Sequence, residues 1–174
     1  MVGNALLIVD MQVGNFSEHN PIYRGDNLLE KVKNILAKAR SANILIVFIK
    51  NRGGIGDPDE YETPGWEIHP SIAPHETELV IEKTTPDSFH ETRLLDILKS
   101  QGIKNLIICG LQTEFCIDTT CRRGFSLGYN IILVQDAHST WDSPILSANK
   151  IIDHHNDILG GFFVQLKLEN EIKF

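Results

Sequence analysis

Ala5-Leu-Leu-Ile-Val-Asp10 is a short, unbroken apolar run that ends on a carboxylate. An apolar run of this length, without alternation, reads as a strand buried on both faces, as in the middle of a parallel sheet. The pattern returns at residues 44–49, 79–81, 105–109, 129–134 and 162–166. Between most of these runs the spacing becomes helical. Asp26 precedes Leu28, Leu29, Val32, Ile35, Leu36 and Ala39, which share one face of a helix with an acidic start. Residues 92–101, 114–127 and 144–159 also read as helices, stopped by Gly102, Gly128 and the pair Gly160-Gly161. Residues 51–75 hold many Gly, Pro and acidic residues with little periodicity. They predict a long loop with short pieces of structure, the kind of loop that carries function or is disordered.

Six buried strands alternating with helices predict an α/β domain over residues 1–174. The expected form is a Rossmann-like three-layer α/β/α fold with a six-stranded, mostly parallel sheet in the order 3-2-1-4-5-6. In that order the direction of winding reverses between strands 1 and 4. Ligands of such folds bind at the carboxyl ends of the strands beside that reversal.

Composition narrows the function classes. The 174 residues are 42% hydrophobic and 22% charged, which excludes disorder and coiled coil as descriptions of the whole. Sixteen basic against 23 acidic residues give a net charge of −7, with no basic tract. Nucleic acid and anionic membrane are therefore poor partners. No apolar run approaches the ~20 residues of a spanning helix, and no signal peptide is apparent. Three cysteines, an odd number, fit reduced thiols in a cytoplasmic protein better than a secreted disulfide framework. The Asn-x-Ser pattern at Asn15 then reads as chance.

Three reactive groups fall at the carboxyl ends of the strands. Strand 1 ends in Asp10, strand 3 ends near Lys83, and strand 4 runs into Gly110-Leu-Gln-Thr-Glu-Phe-Cys116, which opens a helix. Strands 1 and 3 lie two strand spacings apart, ~10 Å, most of which a lysine side chain covers. Thr113 reads as an N-cap, which puts Cys116 in the first helical turn. Free backbone amides, the helix dipole and a nearby lysine would all favour a thiolate accessible near neutral pH. A carboxylate, an amine and a thiol together suit acyl transfer through a thioester. Cys109, within strand 4, and Cys121, five residues after Cys116, read as buried core. Phe16, Trp66, Phe89 and Trp141 are candidate aromatic contacts for a small ligand, although bulky aromatics more often belong to the core.

The chain resembles the isochorismatase-like cysteine hydrolases, which include nicotinamidases and N-carbamoylsarcosine amidase. The matching segments are Leu7-Ile-Val-Asp10-Met-Gln12 with Phe16, and Glu82-Lys83 followed by Ser88-Phe89. They continue with Gly110-Leu-Gln-Thr113-Glu-Phe-Cys116 with Thr120, and Gly128-Tyr129 before Asp136-Ala137. They keep the family's order over nearly the whole chain. The resemblance implies Asp10 as base, Lys83 as stabilising cation and Cys116 as nucleophile. It also implies a cis peptide at Leu111–Gln112 and an oxyanion hole from the amides of Gln112 and Cys116. Phe16, Trp66, Phe89 and Thr113 become candidate pocket residues. Gly65-Trp66-Glu67-Ile68-His69 corresponds to a family segment that approaches the pocket or a subunit contact. Relatives are commonly dimers or larger, so a homo-oligomer is implied. The Asp-x-His metal pattern of nicotinamidases has no counterpart, since Lys50-Asn51-Arg52-Gly53 stands in its place. No metal or other cofactor is therefore expected.

Three function classes compete. A metal-independent cysteine hydrolase would cleave a small amide or similar C–N bond. A non-catalytic binding or assembly protein would leave the thiol unused. A nucleotide-binding Rossmann domain would need a Gly-rich turn after strand 1, and Asp10-Met-Gln-Val-Gly14-Asn15 lacks one. The ordered trio favours the first.

Overall fold

The computed structural model describes residues 3–174. Six strands form one sheet: β1 (Gly3–Val9), β2 (Leu45–Asn51), β3 (Leu79–Lys83), β4 (Ile103–Leu111), β5 (Asn130–Ser139) and β6 (Gln165–Lys167). Their order is β3-β2-β1-β4-β5-β6, and all five pairings are parallel. This is the topology the apolar runs predict. The helices are α1 (Gly25–Ser41), α2 (Leu94–Ser100), α3 (Asp118–Ser126) and α4 (Ala148–Gly160).

The unbroken run of β1 is explained by two cores. Successive side chains of a strand point to opposite faces. Ala5, Leu7 and Val9 join α2, α3 and α4 on one side, while Leu6 and Ile8 join α1 on the other. On α1, Leu28, Val32, Ile35, Leu36 and Ala39 are buried, the face predicted from their spacing. Full burial of each large aliphatic side chain contributes roughly 1.5–3 kcal/mol. The sheet is thus covered on both faces, giving three layers.

Several boundaries differ from the sequence reading. The run 162–166 is not one strand. The amides of Phe162, Phe163 and Val164 all donate to the carbonyl of Leu159, so a tight turn ends α4 before β6 starts at Gln165. Apolar character alone does not separate a strand from a packed turn. Helix α4 starts at Ala148, four residues later than Pro144. Ser143 Oγ accepts from the amides of Ile145 and Leu146 and closes a turn there, while Asp142 accepts from the Ala148 amide. Strand β5 runs on to Ser139, and its register against β4 slips between Ile108 and Gly110. That slip sets His138 and Ser139 opposite Gly110 and Leu111.

The loop at residues 51–75 is ordered by specific ties. The buried side chain of Gln12 donates to the carbonyls of Asn51 and Trp66, and its Oε1 accepts from the Asn51 amide. Two 3-10 turns, Pro64–Trp66 and Pro70–Ile72, take up part of the length. The loop folds back over the carboxyl end of β1.

Candidate active site

Asp10 follows β1 directly, in the left-handed region at φ +50°. Asp tolerates that region better than most residues. Its amide donates to the Ile49 carbonyl at 2.9 Å, and its own carbonyl accepts from Asn15 Nδ2 at 2.9 Å. The Asn15 side chain therefore braces Asp10 from within the fold, a role that an Asn-x-Ser pattern does not disclose. Lys83 closes β3 in register with Asn51 of β2.

The lysine crosses the predicted gap. Lys83 Nζ lies 2.8 Å from Asp10 Oδ2 and 3.2 Å from Cys116 Sγ. It also reaches Asn51 Oδ1 at 3.4 Å. Both ions of the pair are buried. Asp10 Oδ1 is buried as well and accepts no hydrogen bond among the described residues. One carboxylate oxygen is thus committed to the lysine, and the other remains open beside the thiol.

The chain reaches Cys116 through the cis peptide that the resemblance implies, followed by a turn of a different kind from the expected helix start. The Leu111–Gln112 peptide is cis. Thr113–Ile117 then forms one wide π-helical turn, and α3 begins only at Asp118. Gln112, not Thr113, holds the capping position, and no side chain caps the turn. Thr113 is fully buried, with Oγ1 2.9 Å from His138 Nδ1. Asn156 Nδ2 donates to the Gln135 carbonyl, which leaves its Oδ1, 3.0 Å from His138 Nε2, as the acceptor. The network therefore assigns the His138 proton to Nε2, and Thr113 donates to Nδ1. Burial holds His138 down at about 4, so the ring is neutral. Thr113 anchors the turn against β5 instead of capping a helix.

The electrostatics also correct an expectation. Burial, reinforced by Asp10, pushes the Cys116 thiol up to about 12, and Lys83 only partly opposes this. A desolvated thiolate loses more than the lysine returns, so the resting group is a thiol. Burial likewise raises Asp10, against the pull of Lys83 and Cys116. Lys83 is held above its usual value, because Asp10 and then Cys116 outweigh the burial that disfavours its charge. Iodoacetamide labelling of Cys116, followed by mass spectrometry, is expected to rise through the alkaline range. A plateau below the ~8.5 of an ordinary cysteine would contradict the resting thiol.

A cavity of about 280 Å³ opens at these groups. Asp10, Leu111, Gln112 and Cys116 line it together with Asn51, Asp57, Pro58, Asp59 and Trp141. The candidate pocket residues Phe16, Trp66, Phe89 and Thr113 are not among its walls. Phe16 packs in the α1 core, edge-on to His69. Trp66 lies beneath the ammonium of Lys50, 3.2 Å from its ring centroid, and against Tyr61. Phe89 is buried and stacked on Tyr129. Each aromatic found an apolar or cationic partner within the fold, the commoner fate of such side chains. His69 accepts from the Ser71 amide and caps the short turn after it. Cys109 and Cys121 are fully buried. The Gln112 side-chain amide donates to Glu114 and Thr140, and Gln112 lies at the cavity lining.

The 57–59 segment is the wall that sequence reasoning missed. A Cβ at Gly14 would lie 1.7 Å from the Pro58 carbonyl oxygen, and one at Gly53 would lie 2.4 Å from Asp59 Oδ1. Both positions need bare backbone because the segment passes against them. In the sequence, Gly14 and Gly53, about forty residues apart, carry no sign of that contact.

Comparison with known proteins places this architecture in a family. Residues 4–146 match the family model described as the isochorismatase domain. A streptothricin hydrolase of Streptomyces noursei is 37% identical over 140 residues, 80% of this chain and 51% of that protein. The chain thus spans about half the length of that relative. The ureidoacrylate amidohydrolase RutB of Klebsiella pneumoniae is 26% identical over 77% of this chain and 72% of its own. Among solved structures, an isochorismatase hydrolase of Oleispira antarctica superposes with a TM-score of 0.91 at 29% identity, covering 97% of this chain and 95% of that one. The chain belongs to the isochorismatase family.

Proposed function

We propose that this isochorismatase-family chain hydrolyses a small amide or similar C–N bond through a thioester on Cys116, with Asp10 and Lys83 as its partners. The observation that carries the reading is one contact set at a cavity wall: Asp10 Oδ2 to Lys83 Nζ at 2.8 Å, and Lys83 Nζ to Cys116 Sγ at 3.2 Å. The names of the relatives support it, one a hydrolase and one an amidohydrolase. In keeping with the resemblance, the enzyme is read as needing no metal or cofactor and as a cytoplasmic homo-oligomer.

The chemistry starts from the protonated thiol. The Cys116 proton passes to Asp10 as Sγ attacks the carbonyl carbon, and the carbonyl electron pair moves onto oxygen. Backbone amides of Gln112 and Cys116 are the donors for that oxyanion. Lys83 stays an ammonium throughout and offsets the negative charge that moves between Sγ and Asp10. Collapse breaks the C–N bond, and the departing amine takes the proton from Asp10. Water then attacks the thioester and gives a proton to Asp10. The second tetrahedral intermediate expels sulfur, which recovers the proton, and the carboxylic acid leaves. Asp10 is suited to this exchange because burial raises its affinity for a proton.

The test is rapid-quench mass spectrometry during incubation with a panel of small primary amides. An acyl adduct on the peptide bearing Cys116, with ammonia released in step with acid, is the expected result. Absence of both adduct and ammonia across the panel would sink the reading.

A further inference from the structure

The charge of the cavity bears on the substrate. Asp10, Asp57 and Asp59 line it, and no Lys, Arg or His does among the described residues. Lys83 lies behind the wall and answers Asp10. Asp59 has no such partner. It is 7% exposed, and among the described residues its carboxylate makes no ion pair. Its recorded side-chain hydrogen bond comes from Asn51 Nδ2, at 2.8 Å on Oδ2. Oδ1 packs against the bare backbone of Gly53, and the residue as a whole lies at the cavity lining. A buried carboxylate without a cation is costly, and proteins seldom keep one that nothing answers.

The position of Asp59 is also built. Its carbonyl accepts from the Gly53 amide at 3.1 Å, and the preceding Pro58 carbonyl is packed against Gly14. Asn51 spans from Asp59 to Lys83, donating to one and accepting from the other. Asp59 is near enough to Asp10 to raise its proton affinity further. Asp57, at the more exposed edge, accepts from the Gly54 amide and adds to the same field.

We infer that the substrate of this site is a cationic amide, whose ammonium or guanidinium group pairs with Asp59 while its carbonyl meets Cys116. This rests on the hydrolase reading of the Cys116 site and adds the substrate's charge class. Within the cavity the pair would be screened less than one at the open surface. A negatively charged amide would face three carboxylates and be excluded.

The test uses three amides of one length that differ in the terminal group: δ-aminovaleramide (cation), hexanamide (neutral) and glutaramic acid (anion). Binding is measured by calorimetry to the full chain carrying Cys116→Ala, which removes turnover from the question. The cation is expected to bind about tenfold more tightly than hexanamide, the order of a partly buried ion pair. The preference should shrink as salt is raised, and the anion should bind weakest. Asp59→Asn in the same background should bring the cation and the neutral amide to within about twofold. Equal binding of cation and neutral amide, or no binding of the cation, would overturn the inference. The three-amide series in the Cys116→Ala chain needs no Asp59 variant, so a folding defect in that variant does not rescue it. If the cation binds selectively but the unmodified enzyme never releases ammonia from it, the hydrolase reading fails while the charge reading stands.

Discussion

Cys116→Ala is expected to lower the turnover number for amide hydrolysis by about 10⁴-fold, with substrate affinity changed by less than about threefold. The loss follows from the proposed step. Without sulfur there is no thioester, and water would have to attack an unactivated amide directly. The remaining oxyanion donors and the bound carbonyl leave some acceleration over water, as in other enzymes stripped of a nucleophile. Affinity should survive because Sγ is one atom of the wall and the other contacts stay. Cys121→Ala is the control. Its thiol is fully buried in the α2–α3 core, so its removal should cost stability and leave turnover near normal. A residual rate in Cys116→Ala above about one hundredth of wild type would place the nucleophile elsewhere.

Lys83→Met is expected to cost about 3–5 kcal/mol of folding stability at pH 7, along with nearly all activity. Methionine fills much of the volume but leaves the Asp10 carboxylate buried with no cation. The pH dependence has a definite sign. Asp10 is raised above its ordinary value in the folded protein, by burial first. An acid with a raised folded pKa holds more protons folded than unfolded between its two values, so stability falls as pH climbs through that window. In the variant the largest opposing influence, Lys83, is gone, and the window extends upward. The deficit relative to wild type should therefore be smaller near pH 4 and grow toward pH 7 in urea unfolding. A deficit equal at both values would mean that lost packing, and not the unpaired carboxylate, sets the cost.

Both variants act on residues that the sequence exposes, and the reason is local. Asp10 and Lys83 each end a buried strand, and Cys116 opens the helix after another. In a doubly wound sheet, the end of a strand is already a location in space. The aromatics behaved differently. Phe16, Trp66 and Phe89 lie near the site in the chain, yet each side chain turns into packing that proximity in sequence does not describe. Asn15 and Asp59 show the converse. One supports Asp10 and the other lines the cavity, and neither belongs to a recognisable pattern. Gln12 lies between these extremes. It stands within a quoted motif, but its work of tying Asn51 and Trp66 to β1 appears only when the loop is folded back.

By itself the sequence determined the alternation of strands and helices, the order of the sheet, and the edge on which acid, amine and thiol meet. These follow from periodicity and chain order, properties of neighbouring residues. Tertiary structure decided the state of the thiol, the role of Thr113, and the charge of the cavity. Those depend on desolvation and on approaches between segments distant in the chain. Cys116 is protonated because burial outweighs Lys83. Thr113 holds His138 because a slip in the β4–β5 register brings β5 beside it. Asp59 lines the same cavity as Cys116 because the loop after β2 closes against the bare backbone of Gly14 and Gly53.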